Sequence, residues 1–174
     1  YNIFACNGIL FNHESPMRGE TFVTKKIVSA LCKISLSGKG KLYLGNLYSK
    51  RDWGHAKDYV VAMWKMLQQK KPKDFVIASG KQYSVKYFVN LIFDILKMKI
   101  NWRGKGINEK AYLNGKVIIS IDKRYFRPTE VDSLLGDPRK ARKELKWKPV
   151  YNIRSLAQDM VSEEFKKIHF NKKK

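Results

Sequence analysis

Carboxylates, histidines, cysteines and arginines are all scarce in this chain of 174 residues. Two cysteines, Cys6 and Cys32, are too few to staple a small fold or to build a thiolate metal centre. They read as buried free thiols, suited to a reducing, cytoplasmic compartment. His13, His55 and His169 are too scattered to suggest zinc. The longest uncharged apolar run, Val60 to Trp64, falls far short of the roughly 20 residues that cross a bilayer, so no membrane partner is expected. No charged segment precedes an apolar one at the start, and the first residue is Tyr1 and not Met, which suggests a fragment. Acidic residues number 15 against 36 basic ones, giving a net charge of +21. That charge alone would suit a nucleic-acid-binding module, a membrane surface or a phosphorylated substrate. Specific phosphate and base recognition leans on arginine forks, however, and 28 of these 36 cations are lysines, spread over almost every segment. Most of the charge therefore reads as solvated surface, and no specific nucleic-acid partner is expected. A Gly-rich phosphate cradle is missing too. Gly38, Gly40 and Gly45 have the wrong spacing, and Gly104 and Gly106 lack a third glycine and a following helix.

What is present is an ordinary globular chain, 44% hydrophobic and 13% aromatic, long enough for a real core. Asn2 to Phe11 reads as a buried strand, and a polar loop follows up to Pro16. A helix is expected over Thr21 to Leu36, with Val23, Ile27, Ala30, Leu31 and Ile34 inward and Lys25 and Lys33 on the wet face. Short strands are expected at Lys41–Leu44 and Arg51–Trp53, the second broken by Gly54. A helix over Ala56 to Gln69 should turn Tyr59, Val60, Met63, Met66 and Leu67 inward. Asp74–Ser79 is a strand, and Ser84 caps a helix running to about Lys97. Asn101 to Lys110 reads as a loop and Asn114-Gly115 as a turn into a strand at Lys116–Asp122. Asp137-Pro138 opens a helix ending near Trp147, and Asn152 caps the last one, with Leu156, Met160, Val161, Phe165 and Ile168 inward. Short strands alternating with helices indicate an α/β fold.

Three stretches carry chemistry. Leu10 to Gly19 packs Asn12, His13, Glu14, Ser15 and Arg18 just after an apolar strand, a common place for a ligand. Composition alone leaves it open between a ligand loop and an ordinary turn. The others are Leu44-Gly45-Asn46 running into Arg51-Asp52-Trp53-Gly54-His55-Ala56-Lys57-Asp58-Tyr59-Val60, and Tyr125-Phe126-Arg127-Pro128-Thr129-Glu130-Val131-Asp132. Together they resemble the GDP-mannose 4,6-dehydratases, a family of extended short-chain dehydrogenase/reductases, over nearly the whole chain but only over the later half of such an enzyme.

The resemblance implies the C-terminal part of a Rossmann-type fold interleaved with a smaller α/β substrate-binding domain over residues 1–174, with the dinucleotide-binding half absent. It implies a hydro-lyase that converts GDP-mannose to its 4-keto-6-deoxy form with NADP recycled, and a homo-oligomer at full length. Arg51 and Arg127 match the family's diphosphate-binding arginines, a role that suits the guanidinium fork. Read without the family, they could equally pair with Asp52 and Glu130. Lys26 matches a basic substrate contact, Asn12 a hydrogen-bonding asparagine, and Glu130 a carboxylate for ribose hydroxyls. His13 and Arg18 match positions that touch NADP. Met17 stands where the family usually has a first arginine, and Lys25 where arginine is common. The superfamily's catalytic Tyr and Lys, four residues apart on a helix, find only Tyr112 and Lys116 here, with Asn114-Gly115 between them to break any helix. The catalytic Thr, Glu, Tyr and Lys are therefore expected upstream of this chain, which should be inactive alone. A related nucleotide-sugar epimerase or reductase is the alternative, and a basic nucleic-acid-binding module a more distant one.

Overall fold

The computed structural model describes residues 1–125 and 131–171. In chain order the strands are β1 (Gly8–Leu10), β2 (Asn12–Glu14), β3 (Leu42–Leu44), β4 (Lys50–Arg51), β5 (Trp53–His55), β6 (Phe75–Ile77), β7 (Tyr83–Ser84), β8 (Asn101–Arg103), β9 (Lys110–Leu113) and β10 (Lys116–Ile121). The helices are α1 (Val23–Ser37), α2 (Ala56–Leu67), α3 (Val85–Ile95), α4 (Arg139–Glu144) and α5 (Ile153–Asn171). Strands and helices alternate and several strand pairs are parallel, so the fold is α/β, as expected. The elements divide into two units interleaved along the chain. Unit 1 takes Tyr1–Ser15, Lys50–Tyr83 and Ser133–Leu156, and unit 2 takes Pro16–Ser49, Ser84–Asp132 and Ala157–Lys174.

In unit 1, β1 lies parallel to β6 and β2 parallel to β5, while β4 is joined by β7. The core gathers Tyr59, Ala62 and Met66 of α2 against Phe75 and Ile77 of β6, with Ala141, Leu145 and Trp147 from α4 and the turn after it. Trp147 donates its indole N–H to the Asp58 carbonyl at 2.9 Å and meets the Tyr59 ring edge-on.

The expected long first strand shrinks to three residues. Beyond Leu10 only the Phe11 amide reaches β6, at the Ile77 carbonyl, and Tyr1, Ile3, Phe4 and Ile9 are exposed. Among the described residues β6 is the one neighbour of β1, so no second ladder extends the pairing there. The polar cluster that follows opens as a strand and not as a loop, because β5 offers its backbone to Asn12–Glu14. Gly54 does not break β5 but belongs to it. A Cβ there would lie 2.4 Å from the Tyr59 ring, so glycine lets the strand pass under that ring. In α2 the buried stripe is Tyr59, Ala62 and Met66, while Val60, Met63 and Leu67, expected inward, are exposed. Two apolar stripes lie side by side on this helix, and periodicity alone does not say which one meets the core.

In unit 2 a four-stranded sheet runs β3-β10-β9-β8, with β3 parallel to β10 and the other pairs antiparallel. Asn114 and Gly115 both take positive φ, 48° and 77°, closing the tight hairpin from β9 to β10. The expected loop at Asn101–Lys110 contains β8 and the start of β9. Strand β8 lies at the edge of the sheet, where no apolar run is needed, and Gly104 and Gly106 fall in the connection from β8 to β9. Helices α1 and α3 pack together, and Ile27 and Leu31 of the first and Phe88 and Ile92 of the second are all buried. Ser84 accepts the Tyr87 amide at 3.1 Å and so caps α3, and Asn152 accepts the Arg154 and Ser155 amides at 2.9 Å at the start of α5. Lys25, expected on a wet face, is buried. Its ammonium donates to Glu164 of α5 at 2.7 Å and to the Pro16 carbonyl at 3.0 Å. Among the described residues no helix is long and apolar enough to cross a membrane.

Candidate functional site

Unit 1 brings three of the expected site residues onto neighbouring strands. The β2–β5 ladder sets Asn12 opposite Trp53 and His13 opposite Gly54, and Arg51 lies two positions before Trp53. His13 holds its Nδ1 2.9 Å from the Phe11 carbonyl. A carbonyl only accepts, so Nδ1 is the donor in this hydrogen bond. The same ring stands 5.1 Å from the Tyr59 ring. Tyr59 is held far above its ordinary pKa by burial and by the nearby Asp52, Asp58 and Glu14 charges, so it is a neutral phenol.

Arg51 is half-buried, and its guanidinium donates to the Lys50 carbonyl at 2.9 Å. Asp52 beside it, the single residue between β4 and β5, is fully buried. Its carboxylate accepts the Ser79 amide at 2.8 Å on one oxygen, and the Gly80 and Gly136 amides at 2.9 and 3.3 Å on the other. The Arg51–Asp52 pairing left open by the sequence is thus not what this carboxylate does. His55, also fully buried, accepts the Lys57 amide at the start of α2 and lies against the Tyr151 ring.

Unit 2 holds Lys26 and Arg18. Lys26 donates to the Tyr43 carbonyl at 2.7 Å, and its ammonium sits 3.6 Å over the Tyr125 ring. Arg18 lies on the approach to α1, with its guanidinium stacked 3.5 Å over the Phe22 ring. Arg127 and Glu130 lie outside the described residues. The turn that leads toward them, Lys123–Tyr125, is held closely. Asp122 takes the Arg124 guanidinium, whose hydrogen bond keeps that carboxyl below its ordinary pKa. A Cβ on Gly45 would lie 2.4 Å from the Tyr125 carbonyl oxygen, so only glycine lets the Gly45-Asn46 turn lie against this one.

Beside these turns a cleft of about 450 Å³ opens, lined by Gly45, Asn46, Tyr48, Ile107, Ile121 and Lys123 among others. Its mostly apolar walls and few polar groups suit a flat heterocycle. Tyr48 is fixed as one wall by donating its hydroxyl to buried Glu109 at 2.8 Å, and Glu109 also takes the Lys86 ammonium. Burial alone would lower the Lys86 pKa, but the hydrogen bond and charge of Glu109 raise it. The sequence offers no role for Gly45, Asn46, Tyr48, Lys86 or Glu109, and offers Asp52 only as an ion-pair partner of Arg51. The three charged groups among these act only through partners distant in the chain, which a local pattern does not reveal.

The family model described as GDP-mannose 4,6 dehydratase matches residues 1–160. The chain belongs to the GDP-mannose 4,6-dehydratase family. It is 53% identical over 163 residues to GDP-mannose 4,6 dehydratase 2 of Caenorhabditis elegans, covering 93% of this chain and 43% of that one. It is 52% identical over 170 residues to the GDP-mannose 4,6 dehydratase of Dictyostelium discoideum, with 97% and 48% covered. The chain therefore spans a little under half the length of these curated GDP-mannose 4,6-dehydratases. Among solved structures it is similar to RMD from Pseudomonas aeruginosa complexed with NADPH, at TM-score 0.72 and 16% identity over 91% of this chain and 47% of that one. It is likewise similar to dTDP-glucose 4,6-dehydratase from Bacillus anthracis in complex with NAD, at TM-score 0.71 and 18% identity, with 95% and 46% covered. At those identities the likeness concerns the fold alone.

Proposed function

We propose that this chain supplies the nucleotide-sugar-binding part of a cytoplasmic, NADP-dependent GDP-mannose 4,6-dehydratase that assembles as a homo-oligomer, and that it holds none of that enzyme's proton-transferring groups. The observation that carries the reading is identity of about half the residues, over nearly the whole chain, to proteins named for that activity. The residue types fit it, and so does the geometry of Lys26 and of the cleft. Arg51 offers a fork to the diphosphate, and Arg127 a second one. Lys26, pinned by Tyr43 and Tyr125, offers a point charge that suits a phosphate. Asn12 hydrogen-bonds the sugar, and Glu130 takes ribose hydroxyls. The cleft walled by Tyr48 and Ile107 receives the base.

His13 and Arg18 suit the edge of a dinucleotide. Neutral His13, donating through Nδ1, accepts from a hydroxyl at Nε2, and the Arg18 plane, steadied on Phe22, attracts a phosphate. When bound, NADP supplies the hydride-accepting nicotinamide. The chain's glycines form no pyrophosphate cradle, so these two residues assist in holding the cofactor and do not hold it by themselves.

Calorimetric titration of the chain with GDP-mannose tests this. Saturable binding is expected, and Arg51→Ala should weaken it by about 1.5–3 kcal/mol, the scale of a charge-assisted hydrogen bond. An unchanged affinity in the variant sinks the assignment of Arg51. In the longer protein that contains this chain, a product lighter than GDP-mannose by one water supports the dehydratase, whereas a product of equal mass points to an epimerase.

A further inference from the structure

The residue next to Arg51 does more than fill the core. Burying a carboxylate is costly unless its lone pairs are met, and Asp52, fully buried, meets them with three backbone amides and no cation. Those amides come from two separate places in unit 1. Ser79 and Gly80 form the turn after β6, and Gly136 ends the segment Ser133–Gly136. The same segment is tied to the other side of Arg51. Lys50 and Ser133 form a parallel bridge, and the Leu134 amide donates to the Lys50 carbonyl at 3.1 Å. The Ser133 hydroxyl donates to Gln82 at 2.6 Å, which closes the ring of contacts.

Arg51 thus sits between two anchors, a backbone ladder at Lys50 and an amide hub at Asp52. Asp52 is the single residue between β4 and β5, so holding its carboxylate in the core holds the end of β4, and Arg51 with it, in place. We propose that Asp52 is a positioning residue for substrate binding, acting through Arg51: its amide hub sets the place from which the Arg51 guanidinium meets a diphosphate. This rests on the reading of Arg51 given above.

The chemistry predicts which substitutions matter. Asparagine keeps one acceptor oxygen and replaces the other with an NH₂ group. Whichever way its amide turns, at least one of the three backbone N–H groups then faces another donor. Glutamate restores both oxygens one methylene further out.

The test is a double-mutant cycle on the whole chain, with GDP as the probe and calorimetry as the readout, alongside amide hydrogen exchange at Ser79, Gly80 and Gly136. Arg51→Ala and Asp52→Asn should each weaken GDP binding at least tenfold, and the double variant should lose no more than about threefold beyond either single one, because both act through one guanidinium. Asp52→Asn should also lose exchange protection at the hub amides while the cores of α1 and α3 keep theirs. Asp52→Glu should recover more than half of the lost affinity on a logarithmic scale, and it carries the test if the asparagine variant does not fold. Unchanged GDP affinity in Asp52→Asn, losses that multiply in full, or no recovery in Asp52→Glu overturns the positioning role while leaving Arg51 as a ligand. Unchanged affinity in Arg51→Ala overturns the reading of Arg51 itself, and the positioning role falls with it.

Discussion

Lys25 and Glu164 exchange water for each other. Both side chains are buried, 2.7 Å apart, with the Pro16 carbonyl as a further acceptor for the ammonium. Burial pushes the Glu164 pKa up, but the hydrogen bond and charge of Lys25 outweigh it and hold the carboxyl below its ordinary value of 4.5. A carboxyl depressed in the folded state stabilises the fold above its unfolded pKa, and that contribution is lost as pH falls through the folded value. Stability should therefore hold through neutral pH and fall below about pH 4.5, beyond what the exposed carboxylates contribute. Glu164→Gln strands the Lys25 charge and should cost about 3–5 kcal/mol at pH 7 while flattening that acid dependence; urea unfolding at pH 7 and pH 4 measures both. Cys32 nearby is pushed up to about 12 by burial and by Glu164, so it is an inert thiol. Gly54→Ala places a methyl into the Tyr59 ring and should cost about 3 kcal/mol in the same assay. The candidate site is legible at this scale only where a residue type and its neighbours carry the message. Asn12, His13, Arg18, Lys26 and Arg51 could be named from their motifs. Asp52, Lys86 and Glu109 could not, since their partners lie 23 to 84 residues away. Lys25 was misplaced for the same reason, its partner being 139 residues distant.

Among the elements, those with chemical punctuation were readable. Ser84, Asn114-Gly115 and Asn152 announced their cap, turn and cap through local hydrogen bonds or positive φ, and the structure has each of them. Elements that depend on a distant neighbour were not readable. The length of β1 is set by β6, and β8 exists because β9 pairs with it. Helix α2 is the instructive middle case. It formed where expected, yet it leaves Val60, Val61, Trp64 and Leu67 exposed, at 61%, 47%, 61% and 58%. A continuous apolar face of this kind promotes self-association in water. The purified chain should therefore bind a hydrophobic dye and elute early in gel filtration. Val61→Glu with Trp64→Glu should reduce both effects without lowering the melting temperature, because neither side chain packs into the Tyr59 core. A variant that elutes as early as the unsubstituted chain would dismiss α2 as the cause.

For the molecule as a whole, the net charge of +21 is carried mainly by dispersed lysines. Duplex DNA should bind weakly and without sequence preference, with Kd about 10⁻⁴–10⁻⁶ M at physiological salt, and log affinity should fall linearly with log salt. A shift assay giving a sequence-selective nanomolar complex would overturn the surface reading. The α/β class was legible because alternation of strand and helix needs no partner information, and the family because its motifs are long and specific. The division into units is another matter. It is built from non-local contacts, and no composition shift marks the boundaries at Ser15, Ser49, Tyr83, Asp132 and Leu156. That braided arrangement bears on how such a gene can be reshuffled. A single crossover with a relative, anywhere between the first boundary and the last, gives both units segments from each parent. Within that span neither unit is inherited intact through one exchange, so exchanging one whole unit for a relative's takes several crossovers.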